Sequence, residues 1–298
     1  MITKEVIVKD LIALGIKKGD MLNVKASLKS IGQVENGAND LLDGLLEVVG
    51  PEGTIISESF IKTYPVFLLR KKENFISTQN SASYAGAFVN AMLNHSRVYR
   101  SNHPIQKFVA IGHLAKDMMH NYSRPSSIPY EVLKVMIEKD AYNLRIGPLN
   151  KVVGVGTTHV AIDDLKFKQK RLNYGVYYQN NLKFQVYKPN WPSGCSAAFN
   201  ALFPEYRKNG AIISEGKVGK ADSMITDMKK TYNVEMELFK KDTNNILCKD
   251  PGCPKCRIAW EFSQGNFLKT FSVNLKQRDK KRIIQTVMYF LNNNYQPQ

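Results

Sequence analysis

Residues 19–60, GDMLNVKASLKSIGQVENGANDLLDGLLEVVGPEGTIISESF, carry the order strand, loop, helix, turn, strand. Met21 to Val24 form a short, mostly apolar run after a Gly-Asp turn, as a buried strand does. Residues 25–37 are a loop rich in Lys, Ser, Gly and Asn. Asn36 is placed to cap the helix that follows, in which Leu41, Leu42, Leu45, Leu46, Val48 and Val49 recur at helical spacing. Gly50 and Pro51 stop that helix, and Thr54 begins a second strand. A loop between a strand end and a helix N-terminus offers free backbone N–H groups where the helix dipole is positive. Lys25 and Lys29 add charge there, and Ser27 and Ser30 add hydroxyls, so phosphate or pyrophosphate fits. The loop is neither G-x-G-x-x-G nor a Walker motif, and an ordinary solvated connection has the same composition.

Bulk composition narrows the class. The chain has 298 residues, 43% hydrophobic and 23% charged, the balance of a soluble globular protein. No apolar run approaches the length of a membrane span. Residues 1–15 read as an amphipathic helix with Thr3 as cap and Gly15 as stop, without a secretory pattern, so a cytoplasmic location is expected. The net charge of +16 favours polyanionic partners. The basic residues are spread along the chain, with no zinc-finger spacing with paired histidines, no RNP motif and no obvious recognition helix, which argues against nucleic acid. Phosphates on a cofactor or on a nucleotide-bearing substrate account for the same charge.

Farther along, residues 61–83 form a loop-like insert, and Ser81 or Ser83 caps a helix over 84–93. A buried strand is expected over 107–111 and a helix over 114–119. Residues 129–139 form a helix with Pro in its first turn. Two apolar strands follow, 143–147 and 151–155. The charge run 166–171 has the look of a solvated face, residues 172–188 a β-hairpin around Asn180-Asn181, and residues 279–291 a final amphipathic helix.

Four blocks together resemble the aminoglycoside 3-N-acetyltransferase family. The first is that family's V-H-S-S-L-x-S-x-G, then G-A, a helix, V-G-x-x-G-T and a strand ending T-F. It is met here by Val24, Ser27, Leu28, Ser30, Gly32, Gly37, Ala38, Val49, Gly50, Gly53, Thr54 and Phe60, with Lys25 for the usual His and Glu58 for a usual Pro. The second, R-S-x-H-P-x-x-S-F-x-A-x-G-x-x-A, is met by Arg100, Ser101, His103, Pro104, Phe108, Ala110, Gly112 and Ala115, with Lys107 for Ser. The third, G-V-G then H-x-A, is met by Gly154, Val155, Gly156, His159 and Ala161, with Ile162 at the usual Glu. The last, F-x-x-I with G-x-V-G-x-A, is met by Phe203, Gly210, Gly216, Val218, Gly219 and Ala221.

The resemblance implies a three-layer α/β/α fold with a mixed central sheet over residues 1–243. Residues 244–298 would be a small Cys-containing C-terminal appendage. It also implies an acyl-CoA-dependent N-acyltransferase with acetyl-CoA as the default cosubstrate. The loop with Lys25, Ser27, Lys29, Ser30 and Gly37 would hold the coenzyme A arm, helped by Arg100 and Ser101 before the 107–111 strand. Glu58, His103 and Asp164 would face the acceptor, although His103 equally suits a structural role fixing the turn at Pro104.

Attack by an amine on a thioester needs a free lone pair, so a base near the nucleophile helps, as does an oxyanion stabiliser. His159 suits the base role, on the first turn of a helix behind a strand end. Asp163 lies one helical turn along and is placed to influence the ring. Backbone N–H groups from Gly154 to Thr158 are candidates to polarise the thioester carbonyl. A packing or capping role for His159 is the plain alternative.

The four cysteines are Cys195, Cys248, Cys253 and Cys256. Cys253-Pro-Lys-Cys256 is a C-x-x-C knuckle, and with Cys248 and Cys195 it makes a candidate structural zinc site; a reduced thiol cluster or a redox motif reads equally from the spacing. With 26 acidic against 42 basic residues, the overall field opposes a polycation. An anionic, nucleotide-linked amino sugar of surface-polysaccharide or glycan assembly is therefore the expected acceptor, with an antibiotic-modifying acetyltransferase as the alternative. A non-catalytic binding protein on the same fold is the reading from another class.

Overall fold

Seven strands form the central sheet of the computed structural model, in the spatial order Ile212–Val218, Ala221–Asp227, Tyr142–Ile146, Met21–Ala26, Thr54–Glu58, Phe108–Gly112, Tyr99–Arg100. The structure describes residues 1–70, 72–152, 154–180, 183–189, 191–292 and 295–296. The three middle strands run parallel, and those on either side are antiparallel to them. The sheet is therefore mixed, as expected.

Helices cover both faces. Lys4–Ala13, Ala38–Val49 and Ala87–Leu93 put Ile7, Leu11, Leu41, Leu45, Phe88 and Met92 against Leu22, Val24, Ile55, Val109 and Leu144. On the other face, Ala115–Asn121 and Glu131–Glu138 set Met118, Leu133 and Met136 against Met21, Ile56, Phe108 and Ala110. Successive residues of a strand point to opposite faces, so Leu22 and Val24 serve one layer while Met21, Asn23 and Lys25 serve the other.

Several local expectations hold in altered form. Gly37, with φ of 63°, caps the helix Ala38–Val49. Asn36 is instead held by the helix: the Asp40 carboxylate accepts its backbone N–H at 2.9 Å and its amide at 3.0 Å. The expected 25–37 loop contains the strand's last residues and the short helix Leu28–Ile31. The helix expected from residue 84 starts at Ala87 behind Gly86, whose φ of 98° no serine supplies cheaply. Residues 151–155 do not form the second apolar strand: Lys151 and Val152 turn back on Pro148, and Val153 lies outside the described residues. The hairpin pairs Tyr174–Asn180 with Lys183–Tyr187; of its expected turn, Asn181 lies outside the described residues. In the 166–171 charge run, Phe167 and Gln169 are buried, the Gln169 backbone pairing with Gln296 and with Trp260 and that of Lys170 with Tyr295.

The C-terminal residues share a core with the rest. Ile246, Cys248, Cys253, Cys256 and Trp260 pack with Val155, Ala161, Phe199, Phe203, Tyr206 and Phe239. The final helix, Lys280–Leu291, is capped by Asp279, whose carboxylate accepts the Arg282 N–H at 3.0 Å. Among the described residues no helix is long and apolar enough to cross a membrane.

Candidate active site

Register brings the first pair of the site together. Asn23 lies beside Ile56 in the parallel ladder between Met21–Ala26 and Thr54–Glu58. Two residues on, along the same face, Lys25 meets Glu58, and Lys25 Nζ is 2.9 Å from Glu58 Oε1. Both lie at the carboxyl edge of the parallel strands, where open α/β sheets place their ligands. The Gln106 amide donates to Glu58 Oε2 at 3.3 Å. Burial pushes the Glu58 carboxyl up, yet the Lys25 ammonium, His159 and Gln106 together hold it below the usual carboxylate value. The pair lines a cleft of about 280 Å³ with Phe60, Tyr84, Phe88 and Lys151.

His159 sits in the first turn of the helix Thr157–Asp164. Gly156 makes this entry possible, since a Cβ there would fall 2.3 Å from Leu133 Cδ1. The imidazole is half-buried and clamped by rings. Tyr130 stacks on it face to face, with centroids 4.1 Å apart and planes 4° from parallel, and Phe199 meets it edge-on at 5.1 Å and 84°. Burial lowers the imidazole to about 4; Glu58 pulls it back up, while Lys25 and Lys255 push it down. His159 is therefore neutral at neutral pH, with its ring orientation set by packing. The Tyr130 hydroxyl is itself raised well above its usual value by burial and by Glu58.

The other expected residues divide into groups. Ser27 and Ser30 bond to each other at 2.8 Å, and the loop they form rests on Gly147, where a Cβ would meet Ser27 at 3.0 Å. Lys29 is exposed and Gly37 half-buried in the same segment. Arg100 is used inside the protein, donating to the carbonyls of Gln79, Ser81 and Ser59. Ser101 is fully buried, its hydroxyl accepting the Phe108 N–H at 2.8 Å. His103 is also fully buried, and its Nδ1 accepts the N–H groups of Ile105 and Gln106 at 3.1 and 2.9 Å. Its Nε2 is 3.1 Å from the Tyr187 hydroxyl. The Ser101 hydroxyl and both His103 ring nitrogens are engaged, as are the two Arg100 amino groups, while Arg100 Nε is buried without a partner among the described residues; of the two readings of His103 the geometry is that of the turn at Pro104.

Asp163 does not supply the carboxylate that His159 feels, since Glu58 does; burial raises Asp163 itself. Asp164 ties three helices together, pairing with Lys134 at 2.6 Å and accepting from the Tyr232 hydroxyl at 2.7 Å. Thr158 is buried and donates to Glu235, which also accepts from Tyr206. Burial holds that carboxyl up at about 7. The Gly154 N–H already bonds the Asn200 side chain at 2.9 Å, which removes it from the expected oxyanion donors.

Tyr130, Phe199 and Lys255 are the site residues that sequence reasoning missed. Tyr130 follows Pro129 just before a helix, the one signal that marked its position. The four thiols converge beside this wall: every ligand sulfur of Cys195, Cys248, Cys253 and Cys256 lies within 4.8 Å of the others.

Comparison with known proteins agrees with this fold. The family described as aminoglycoside 3-N-acetyltransferase matches residues 24–240. The SPbeta prophage-derived aminoglycoside N(3')-acetyltransferase-like protein YokD of Bacillus subtilis is 35% identical over 129 residues, 37% of this chain and 46% of that protein. Aminoglycoside N(3)-acetyltransferase III of a Salmonella species is 31% identical over 142 residues, 40% of this chain and 46% of that protein. The matched segments thus span about half the length of these curated relatives. The solved structure of AAC-IIIb in its binary complex with CoASH superposes with a TM-score of 0.65 at 19% identity, over 80% of this chain and 96% of that one.

Proposed function

The chain belongs to the aminoglycoside 3-N-acetyltransferase family, and from that premise we propose that it transfers an acetyl group from acetyl-CoA to an amine of an aminoglycoside-like amino sugar. The observation that carries the proposal is the neutral, ring-clamped His159 imidazole within electrostatic reach of Glu58, which ends a parallel strand at its carboxyl edge. The acceptor nitrogen attacks the thioester carbonyl carbon, the C–S bond breaks, and the nitrogen's proton passes to His159 while the thiolate leaves. An amine becomes strongly acidic as its lone pair is committed to the carbonyl, so an imidazole lowered to about 4 still takes the proton. Glu58, held anionic, stabilises the imidazolium that results.

The cleft beside Lys25 and the loop of Ser27, Lys29, Ser30 and Gly37 is the proposed seat of the coenzyme A arm. Arg100 and Ser101 belong to its support, since the Arg100 amino groups and the Ser101 hydroxyl are spent on backbone. The relatives' names favour an aminoglycoside acceptor over a nucleotide-linked one. The second reading rests on charge alone: the net charge of +16 and the Lys25 ammonium in the cleft suit an anionic amino sugar.

The deciding experiment supplies purified protein with acetyl-CoA and two acceptor panels, deoxystreptamine antibiotics and nucleoside-diphosphate amino sugars, and measures released coenzyme A. Turnover on the first panel alone supports the leading reading. Turnover on the second alone replaces it, and neither turnover nor coenzyme A binding removes the enzymatic proposal.

A further inference from the structure

We propose that Cys195, Cys248, Cys253 and Cys256 hold one structural zinc ion as a four-thiolate site that fastens the C-terminal segment to the wall of the active site. All four are free cysteines, three of them buried. Four thiolates around zinc at about 2.3 Å stand about 3.8 Å apart along each tetrahedral edge. Cys195 and Cys253 have their sulfurs 3.7 Å apart, and no pair in the group exceeds 4.8 Å. A disulfide brings its sulfurs to about 2.05 Å, far inside that separation. Four sulfurs converging on one point, from sequence positions up to 61 residues apart, also differ from cysteines that serve as small apolar fillers.

The surroundings are those a doubly negative zinc–tetrathiolate centre needs. Cys248 donates its backbone N–H to Cys256 Sγ at 3.3 Å, which stabilises thiolate character. Lys255, between the two knuckle cysteines, donates to the Gly194 carbonyl at 2.9 Å. Arg257 reaches the carbonyls of Cys248 and Asp250, and Arg282 pairs with Asp250 at 2.7 Å. The turn before Cys253 is braced as well, since Asn274 donates to the Gly252 carbonyl at 2.9 Å.

The location gives the ion a task. Cys195 starts the short helix Ser196–Asn200, and its carbonyl accepts the Phe199 N–H at 3.0 Å. Phe199 is the ring that meets His159 edge-on. A Cβ at Gly194 would lie 2.1 Å from that ring, so the chain before Cys195 is pressed against it. An ion fixing Cys195 to Cys248, Cys253 and Cys256 therefore fixes Phe199, and it keeps Lys255 where its charge reaches the imidazole.

The test is elemental analysis of the intact chain purified under reducing conditions without chelator. Equimolar zinc is expected, with the four thiols protected from a chromogenic disulfide reagent until a mercurial releases the metal. Cobalt exchange should produce the visible ligand-field bands and sulfur charge-transfer absorption of a tetrahedral thiolate site. Cys195→Ser should lose most of the zinc, and Cys195→His, which keeps a ligand, should retain it. The wild-type metal and cobalt measurements decide the matter even where a variant fails to fold. A folded chain with four freely titrating thiols that takes up neither zinc nor cobalt overturns the proposal, as does stoichiometric iron or a pair of disulfides. Because these readouts need no acceptor, they are independent of the proposed acetyl transfer.

Discussion

Lys25 and Glu58 depart from the family's usual His and Pro, and the structure pairs them at 2.9 Å across neighbouring strands. Two changes that look unrelated in the chain, 33 positions apart, thus form one partly buried ion pair. Removing one partner of such a pair leaves an uncompensated charge, so the single changes should cost more than the double. A cycle of Lys25→Met, Glu58→Met and both together, followed by chemical denaturation, should give a coupling of about 1–3 kcal/mol. Additive losses would show that the pair contributes nothing as a unit.

Glu58→Gln should also act on the imidazole. The carboxylate that raises His159 is gone in that variant while Lys25 and Lys255 remain, so the ring moves further down and its protonated form loses its counter-charge. A fall in kcat of about tenfold to a hundredfold with KM for acetyl-CoA little changed is expected, given the ordinary worth of an acid–base group. Steady-state kinetics at fixed pH check it.

His159→Ala should retain acetyl-CoA affinity and lose turnover by about a hundredfold or more. Isothermal titration and coenzyme A release measure the two separately. Full activity in the variant takes His159 out of the mechanism.

The acid limb of kcat/KM should lie near pH 4 rather than near 6.5, because burial keeps His159 unprotonated down to about 4. Tyr130→Leu opens one face of the ring to water and should move that limb upward. An unmoved limb in the variant would separate the Tyr130 stack from the imidazole's titration.

Stability should fall as pH drops below about 6.5. His103 is lowered to about 3 and His159 to about 4, in each case mainly by burial. Between those values and the unfolded value the unfolded chain binds more protons, so stability rises with pH across that window. Each group contributes a slope of about 1.4 kcal/mol per pH unit there. For His103 the structural reason is direct: protonating Nδ1 would expel the two N–H groups it accepts. His103→Asn should flatten the slope of melting temperature against pH over the same range.

Much of the fold was legible because its signals are local. The helix Ala38–Val49 announced itself through leucine spacing and the Gly50-Pro51 stop, and the final helix through its amphipathic pattern. The strand expected at 151–155 failed because apolar composition alone cannot tell a strand from a turn packed over a neighbouring loop. Gly147, with φ of 126° and Val152 and Ser27 crowding it, sends the chain back instead. The helix at Ala87 began late for a similar reason: Gly86 offered a backbone angle that the serines before it did not.

Sequence by itself determined the Lys-Ser loop and the C-x-x-C knuckle, since each depends on residues within a turn or two of one another, and the resemblance carried by its four blocks pointed to the layered α/β class and the candidate base His159. Tertiary structure alone decided that Glu58 lies within electrostatic reach of His159, that Tyr130 and Phe199 clamp it, and that Cys195 joins three cysteines more than fifty positions away. Those relationships are set by strand register and sheet order. A shift of a single residue in the pairing of Met21–Ala26 with Thr54–Glu58 would turn one side chain of the Lys25–Glu58 pair to the opposite face.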